Sequence, residues 1–168
     1  KGINFFFKDK LYLRPNTLAE FNHIRPKSIY NQQDIQNTYE SLGRLRALKY
    51  TNIRFNEVPV NDSTYLDANI VMTQGQNKSL SFEIEGTNSA GDLGTAASMT
   101  YQHRNIFKGS ETFTLKLRGA YEAITGLQEG YENGTYNEWG IESSLNFPEF
   151  KFPFLSSEFK KRIKASSE

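Results

Sequence analysis

Carboxylates stand in close pairs along this chain, and glycoside hydrolysis is the chemistry that uses such pairs. Glu83 and Glu85 are two residues apart and Glu138 and Glu142 four apart, so on an extended strand each pair shares a face and could divide the roles of acid and base. The same spacing lines a polar lumen with charge, and that is the stronger reading. The two histidines, His23 and His103, fall near a helix end and a strand end, with no cysteine nearby and no metal-ligand spacing. They read as solvated or capping side chains. Gly109, Gly119 and Gly126 do not form a phosphate loop, because no glycine-rich turn leads into a helix. Ser156, Ser157, Ser166 and Ser167 have no histidine and acid arranged near them. No catalytic, cofactor-binding or metal-binding residue is assigned, and the chain is not expected to be an enzyme.

Composition narrows the class further. The 168 residues suffice for one domain or two small ones. Twenty basic and 19 acidic side chains leave a formal charge of +1, so there is no electrostatic footprint for nucleic acid. Cysteine is absent, which removes thiolate zinc sites, thiol nucleophiles and disulfides and is compatible with an oxidising compartment. Lys1 and Gly2 run straight into Ile3, Asn4 and the aromatic run Phe5, Phe6 and Phe7; the expectation is a piece cut from a longer chain, without a signal peptide. No apolar run approaches the roughly 20 residues of a spanning helix. A membrane would have to be met with strands.

The elements that would position these residues fall into two grammars. In the first, Pro15 and Asn16 open a short helix with Leu18, Phe21 and Ile24 three apart, closed by Pro26. A longer helix is expected from about Asn31 to Leu48, with Asn31 as N-cap, Asp34 in an acidic variant of the capping box, and Ile35, Tyr39, Leu42, Leu45 and Leu48 as its apolar stripe. That stripe needs a sheet. Thr51, Ile53 and Phe55 alternate in one run and Leu66, Ala68, Ile70 and Met72 in another, with a turn from Val58 to Thr64 through Pro59, Asn61, Asp62 and Ser63. Phe5 to Phe7 would be a further strand.

The polar segment Thr73 to Lys78 is where the grammar changes. From Ser79 to Phe147 apolar residues alternate with charged or hydroxylated ones, as a membrane-spanning sheet with one wet face requires. Phe113, Leu115, Leu117 and Tyr121 alternate with Thr112, Thr114, Lys116, Arg118 and Glu122. Trp139, Ile141, Leu145 and Phe147 alternate with Glu138, Glu142, Ser144 and Asn146, and Leu80, Phe82 and Ile84 with Ser79, Ser81, Glu83 and Glu85. Turn signals separate the strands: Asn88, Gly91, Asp92 and Gly94; Asn105 and Gly109; Gly126, Gly130, Asn133 and Gly134. Phe147, Phe150, Phe152 and Phe154, spaced by Pro148 and Pro153, set interface aromatics at a strand end, with Lys160, Lys161, Arg162 and Lys164 beyond.

These residues carry a resemblance. Tyr30, Thr38, Leu42 and Leu45, followed by Tyr50, Ile53 and Phe55, resemble the second helix and second strand of a polypeptide-transport-associated (POTRA) domain. Phe82, Glu83, Glu85, Gly86, Thr87 and Asn88, followed by Gly94, resemble the first barrel hairpin of BamA/TamA-type outer-membrane assembly proteins, the bacterial surface antigen family. Arg104, Asn105, Ile106, Phe107, Lys108, Gly109 and Glu111 resemble the turn between its second and third barrel strands. The resemblance covers nearly the whole chain. It implies an α+β fold: a POTRA-like β-α-α-β-β domain over residues 1–75, an antiparallel meander of about four barrel strands over 76–155, and a periplasmic turn or disordered tail over 156–168. The family's barrel has about sixteen strands, so the rest would lie elsewhere.

The resemblance implies that the chain would be part of an outer-membrane assembly, insertion or translocation factor of a Gram-negative bacterium, with the POTRA part in the periplasm and no cofactor. Its mechanism would be strand exchange: a first barrel strand, Ser79, Leu80, Phe82, Ile84 and Gly86, pairs weakly and offers its edge to a client. The POTRA edges would be Phe5, Phe6 and Phe7 or Thr51, Ile53 and Phe55. Lipid would face Phe113, Leu115, Leu117, Tyr121, Trp139, Ile141 and Leu145. Partners would be unfolded outer-membrane clients, accessory assembly proteins and the bilayer; an isolated piece would self-associate through its open strand edges, fold its sheet against its own POTRA domain, or stay partly disordered. Two alternatives stay open: a two-partner secretion transporter of the same layout, and a soluble two-domain binding protein in which Trp139, Tyr101 and Tyr136 stack a carbohydrate.

Overall fold

The computed structural model describes residues 3–8, 10–61, 63–89, 92–124 and 134–149. Two helices and two antiparallel sheets make it a sheet-rich α+β chain. Contacts divide it into two compact units. Among the described residues, one takes in the chain up to Asn77, the segment Arg104–Thr112 and the residues from Asn146 on; the other is Lys78–His103 with Phe113–Leu145.

In the first unit, helix α1 (Pro15–Phe21) opens on Pro15, whose missing N–H costs nothing in a first turn. It ends at Phe21, so Ile24 lies beyond it, where the Asn22 side chain takes over: Oδ1 accepts from Ile24 N at 3.0 Å. Helix α2 (Gln32–Gly43) is capped by Asn31, whose Oδ1 accepts from Gln33 N at 2.9 Å. It stops five residues short of the expected Leu48. The backbone tightens there into three-residue turns, Arg44 N to Ser41 O at 3.1 Å and Leu45 N to Leu42 O at 3.1 Å. Leu45 is nevertheless fully buried, delivered by those turns instead of by a helix face.

Strand β1 (Leu48–Val60) and strand β2 (Ser63–Gln74) form a two-stranded antiparallel sheet. Its register pairs Ile53 with Ile70, Phe55 with Ala68 and Thr51 with Met72, so the expected apolar residues share one face. The turn is tighter than its residue signals suggested: Val58, Pro59 and Thr64 are inside the ladder, and Asn61 takes the left-handed backbone (φ 53°) that asparagine tolerates. Leu13, Phe21, Leu42, Leu45 and Ala47 form the core, with Tyr12, Leu18, Leu48, Ile70 and Met72 packed against it.

The expected first strand is not formed. Phe5, Phe6 and Phe7 lie outside any strand, so the described helices and strands of this unit run α-α-β-β and not β-α-α-β-β. Aromatic residues favour strands through cross-strand packing, and here no ladder joins this segment to β2; Phe6 is 93% exposed.

The second unit is a four-stranded meander, β3 (Lys78–Ser89), β4 (Asp92–His103), β5 (Thr112–Ile124) and β6 (Gly134–Asn146), hydrogen-bonded in chain order. Asn88, Asp92 and Gly94, expected in the first turn, instead pair within the β3–β4 ladder: Asn88 with Leu93, Ser89 with Asp92, Thr87 with Gly94. Gly91, Gly126, Gly130, Asn133, Asp62, Phe150, Phe152, Phe154 and the basic and serine-containing segment after them lie outside the described residues.

Candidate functional site

The β3–β4–β5 register sorts side chains into two faces. One row after another, Leu80 pairs with Tyr101 and Tyr101 with Leu115; Phe82 with Met99 and Met99 with Leu117; Ile84 with Ala97 and Ala97 with Gly119. Directly paired residues of adjacent strands share a face, so this face is apolar across three strands. Strand β6 adds Trp139 to it: a Cβ placed on Gly119 would lie 3.0 Å from the indole ring. The other face carries Ser81, Thr100 and Lys116 in one row and Glu83, Ser98 and Arg118 in the next.

The apolar face of this sheet is uncovered, and much of the charged face is open as well. Phe82 is 70% exposed, Ile84 84%, Ile141 79% and Trp139 85%, while Ala96, on the charged face, is buried. Along β4 the charged-face residues Gly94, Ala96, Ser98, Thr100 and Gln102 are buried or half-buried; on the opposite face Leu93, Thr95 and Ala97 are exposed and Met99 and Tyr101 half-buried, while Ser81, Glu83, Glu85 and Arg118 of the charged face are exposed on the neighbouring strands. Of the other residues assigned to lipid, Tyr121 is exposed and Phe113, Leu115, Leu117 and Leu145 are half-buried. Phe147 is half-buried just past β6.

Glu83 and Glu85, Lys116 and Arg118 line one small cleft of about 10 Å³ with Ala96, Ala97 and Ser98. Ser98 Oγ donates to Glu83 Oε2 at 3.5 Å. That volume holds at most one water, so the carboxylates face cations and hydroxyls across a charged strip. Tyr136 stands on the face opposite Trp139 and Tyr101, because successive side chains along a strand alternate; the three rings do not make one platform.

Among the described residues β3 and β6 are the outer strands of the meander, each with a single neighbouring strand. Ser79, Leu80, Phe82, Ile84 and Gly86 lie on β3, and nothing stands within 4 Å of a Cβ built on Gly86. In the first unit, Phe5, Phe6 and Phe7 line a groove of about 1230 Å³ together with Tyr65, Leu66 and Ile70. Thr51, Ile53 and Phe55 are on β1; Ile53 is at the edge of the core and its N–H donates to Tyr39 Oη at 2.8 Å.

His23 is held by helix α2, its N–H donating to Thr38 Oγ1 at 3.0 Å and its Nε2 lying 3.0 Å from Ser41 Oγ. His103 ends β4, paired with Lys78 and Phe113. Among the described residues no three His, Asp or Glu side chains gather as a metal site would need.

The turn between β4 and β5 is more structured than its sequence shows. Glu111, 6% exposed, folds its carboxylate back so that Oε2 accepts from Phe107 N at 3.3 Å and Gly109 N at 2.9 Å. A Cβ on Gly109 would overlap that carboxylate, which explains the glycine. Lys108 and Ser110 both take left-handed backbone, φ 61° and 65°, a conformation that costs a non-glycine residue energy and persists where its surroundings enforce it. Residues 104–112 belong to the first unit, where Lys108 O accepts from Arg14 N at 2.8 Å. Tyr12, Ala47 and Ser110, which organise this corner, were not singled out by sequence; no periodicity marks them.

No family model, curated protein or solved structure matches the chain.

Proposed function

We propose that this chain is part of an outer-membrane factor that assembles, inserts or translocates proteins, with a unit that keeps the α-α-β-β part of a POTRA-like domain, followed by the first strands of a barrel. The observation that carries the reading is a regular four-stranded sheet whose apolar face lies uncovered: Phe82, Ile84, Trp139 and Ile141 are each at least 70% exposed, opposite a face of charged and hydroxylated residues. Water would favour the reverse, whereas hydrocarbon outside and a hydrated lumen inside favour this arrangement.

On this reading the work is done by strand pairing. The free edge of β3 offers unpaired N–H and C=O groups to a client strand, which adds by β-augmentation. Gly86 lightens that strand, since a glycine packs nothing and loses more backbone freedom on ordering. Clients would be unfolded outer-membrane proteins and partners the accessory assembly proteins, with the first unit in the periplasm. The free edge of the meander in lipid is costly unless paired, so the isolated chain would associate with itself.

Trp139 is the single tryptophan, and its position tests the reading. With phosphatidylcholine vesicles brominated along the acyl chains, its emission should move to shorter wavelength and be quenched relative to unbrominated vesicles. Emission identical to that in buffer, with no quenching, would overturn the assignment.

A further inference from the structure

Ala47 is 0% exposed, and both sides of its peptide groups are served by residues distant in sequence. Its N–H donates to Ser110 Oγ at 3.0 Å, and its carbonyl accepts from Gly75 N at 2.8 Å and from the Tyr12 hydroxyl at 3.0 Å. Ser110 N in turn donates to Asn105 Oδ1 at 3.0 Å, and Asn105 Nδ2 donates to Tyr12 O at 2.8 Å. The bonds close a ring: Tyr12, Ala47, Ser110, Asn105 and back to Tyr12. Asn77 meets it through its side-chain oxygen, which shares the one Tyr12 hydroxyl proton with Ala47 O and Gly75 O, and its carbonyl accepts from Arg104 N at 2.7 Å, continuing the β3–β4 register.

The chain leaves the first unit after Asn77, returns at Arg104 and leaves again after Thr112. Asn77, Arg104 and Ser110 therefore mark its three passages: Ser110 is bonded to Ala47, Asn77 to Tyr12, and Arg104 to Asn77. We propose that this ring is a conformational joint that holds the three passages as one cooperative element, so that loosening one loosens the others. Buried hydrogen-bond networks behave this way when each member's geometry depends on the next, since an unmade bond exposes its neighbours to the same loss. The strand that begins at Lys78 and the β4–β5 turn are then released together or not at all.

Amide hydrogen exchange on the whole chain tests the proposal with two variants, Ser110→Ala and Tyr12→Phe. Ser110→Ala removes the acceptor of Ala47 N alone, yet exchange should rise roughly five- to tenfold at Gly75 and Arg104 as well as at Ala47. Tyr12→Phe should raise Arg104 and Ala47 by a similar factor, although the hydroxyl is the acceptor of neither amide. Ladder amides of β1 and β2 should stay at their wild-type rates. Acceleration confined to Ala47 in Ser110→Ala, or shared equally by the β1–β2 ladder in both variants, would overturn the joint, the first by showing independent contacts and the second by showing only global unfolding.

Discussion

The two units obey one patterning rule and reach opposite results. In the first, the apolar residues of α2, the turn after it and the β1–β2 sheet converge on Leu42, Leu45 and Ala47, each at most 1% exposed. In the second, the alternation is just as regular, yet Phe82, Ile84, Trp139 and Ile141 stay exposed and Ala96 is its one buried hydrophobic residue among those described. Periodicity decides which side chains share a face; what packs against that face decides whether it is covered. The difference teaches that a strand's alternation must be read together with what lies across from it.

The sharpest way to break this comparison is to truncate an apolar side chain in each unit. Leu42→Ala should cost about 2–5 kcal/mol in urea unfolding followed by circular dichroism, since it leaves a cavity in the only well-covered core described. Ile84→Ala, at a site 84% exposed, should change stability in buffer by no more than about 0.5 kcal/mol. Equal losses would mean that the sheet's apolar face is covered in solution after all.

Lipid should reverse the ranking. Ile141→Lys should leave unfolding in buffer unchanged but weaken binding to phosphatidylcholine vesicles, by about 2–4 kcal/mol if the side chain lies near the bilayer midplane. Vesicle flotation reads this directly. Undiminished flotation of the lysine variant would remove Ile141 from the lipid-facing set.

Glycines sharpen the contrast at smaller scale. Gly109→Ala would push the buried Glu111 carboxylate off its two backbone donors and should cost about 1–3 kcal/mol. Gly86→Ala meets nothing within 4 Å and should be neutral or stabilise by up to about 1 kcal/mol, because alanine loses less backbone freedom in a strand. Thermal unfolding of the two variants side by side gives the order.

How much of this was legible in the sequence depends on the range of the interaction. The Asn31 cap, the proline start of α1, the shared face of Ile53, Phe55, Ile70 and Met72, and the alternation of Phe113 to Tyr121 are local, and residue type at fixed spacing announces them. Element ends were less legible. Asn88, Asp92, Gly94, Val58, Pro59 and Thr64 are turn formers by composition, but cross-strand pairing carries each ladder through them. Phe5 to Phe7 has strand-forming residues, and strand formation needs a hydrogen-bonded neighbour that the run itself cannot provide. The ring around Ala47 was invisible for a deeper reason: its bonds span 35 residues from Tyr12, 63 to Ser110 and 93 between Tyr12 and Asn105, and no local pattern encodes such closures.

The smallest expected effect is also specific to the covered interior of the first unit. Burial pushes the Tyr12 phenol above its ordinary value of 10.0, because loss of solvent disfavours the phenolate. Below pH 10 both folded and unfolded chains keep this proton, and stability should not depend on it. As pH rises past the ordinary value, the unfolded chain gives up the proton first; it then binds fewer protons than the folded chain, so stability falls with pH until the folded phenol ionises too. Other tyrosines titrate in the same range, so the quantity to follow is the difference between wild type and Tyr12→Phe. That difference should be constant from neutral pH to about pH 10 and should shrink above it as the wild type alone loses this contribution. A constant difference through about pH 11 would mean that the phenol is as solvated in the folded chain as in the unfolded one, and the contrast between the packed core of the first unit and the open sheet would lose its best-placed reporter.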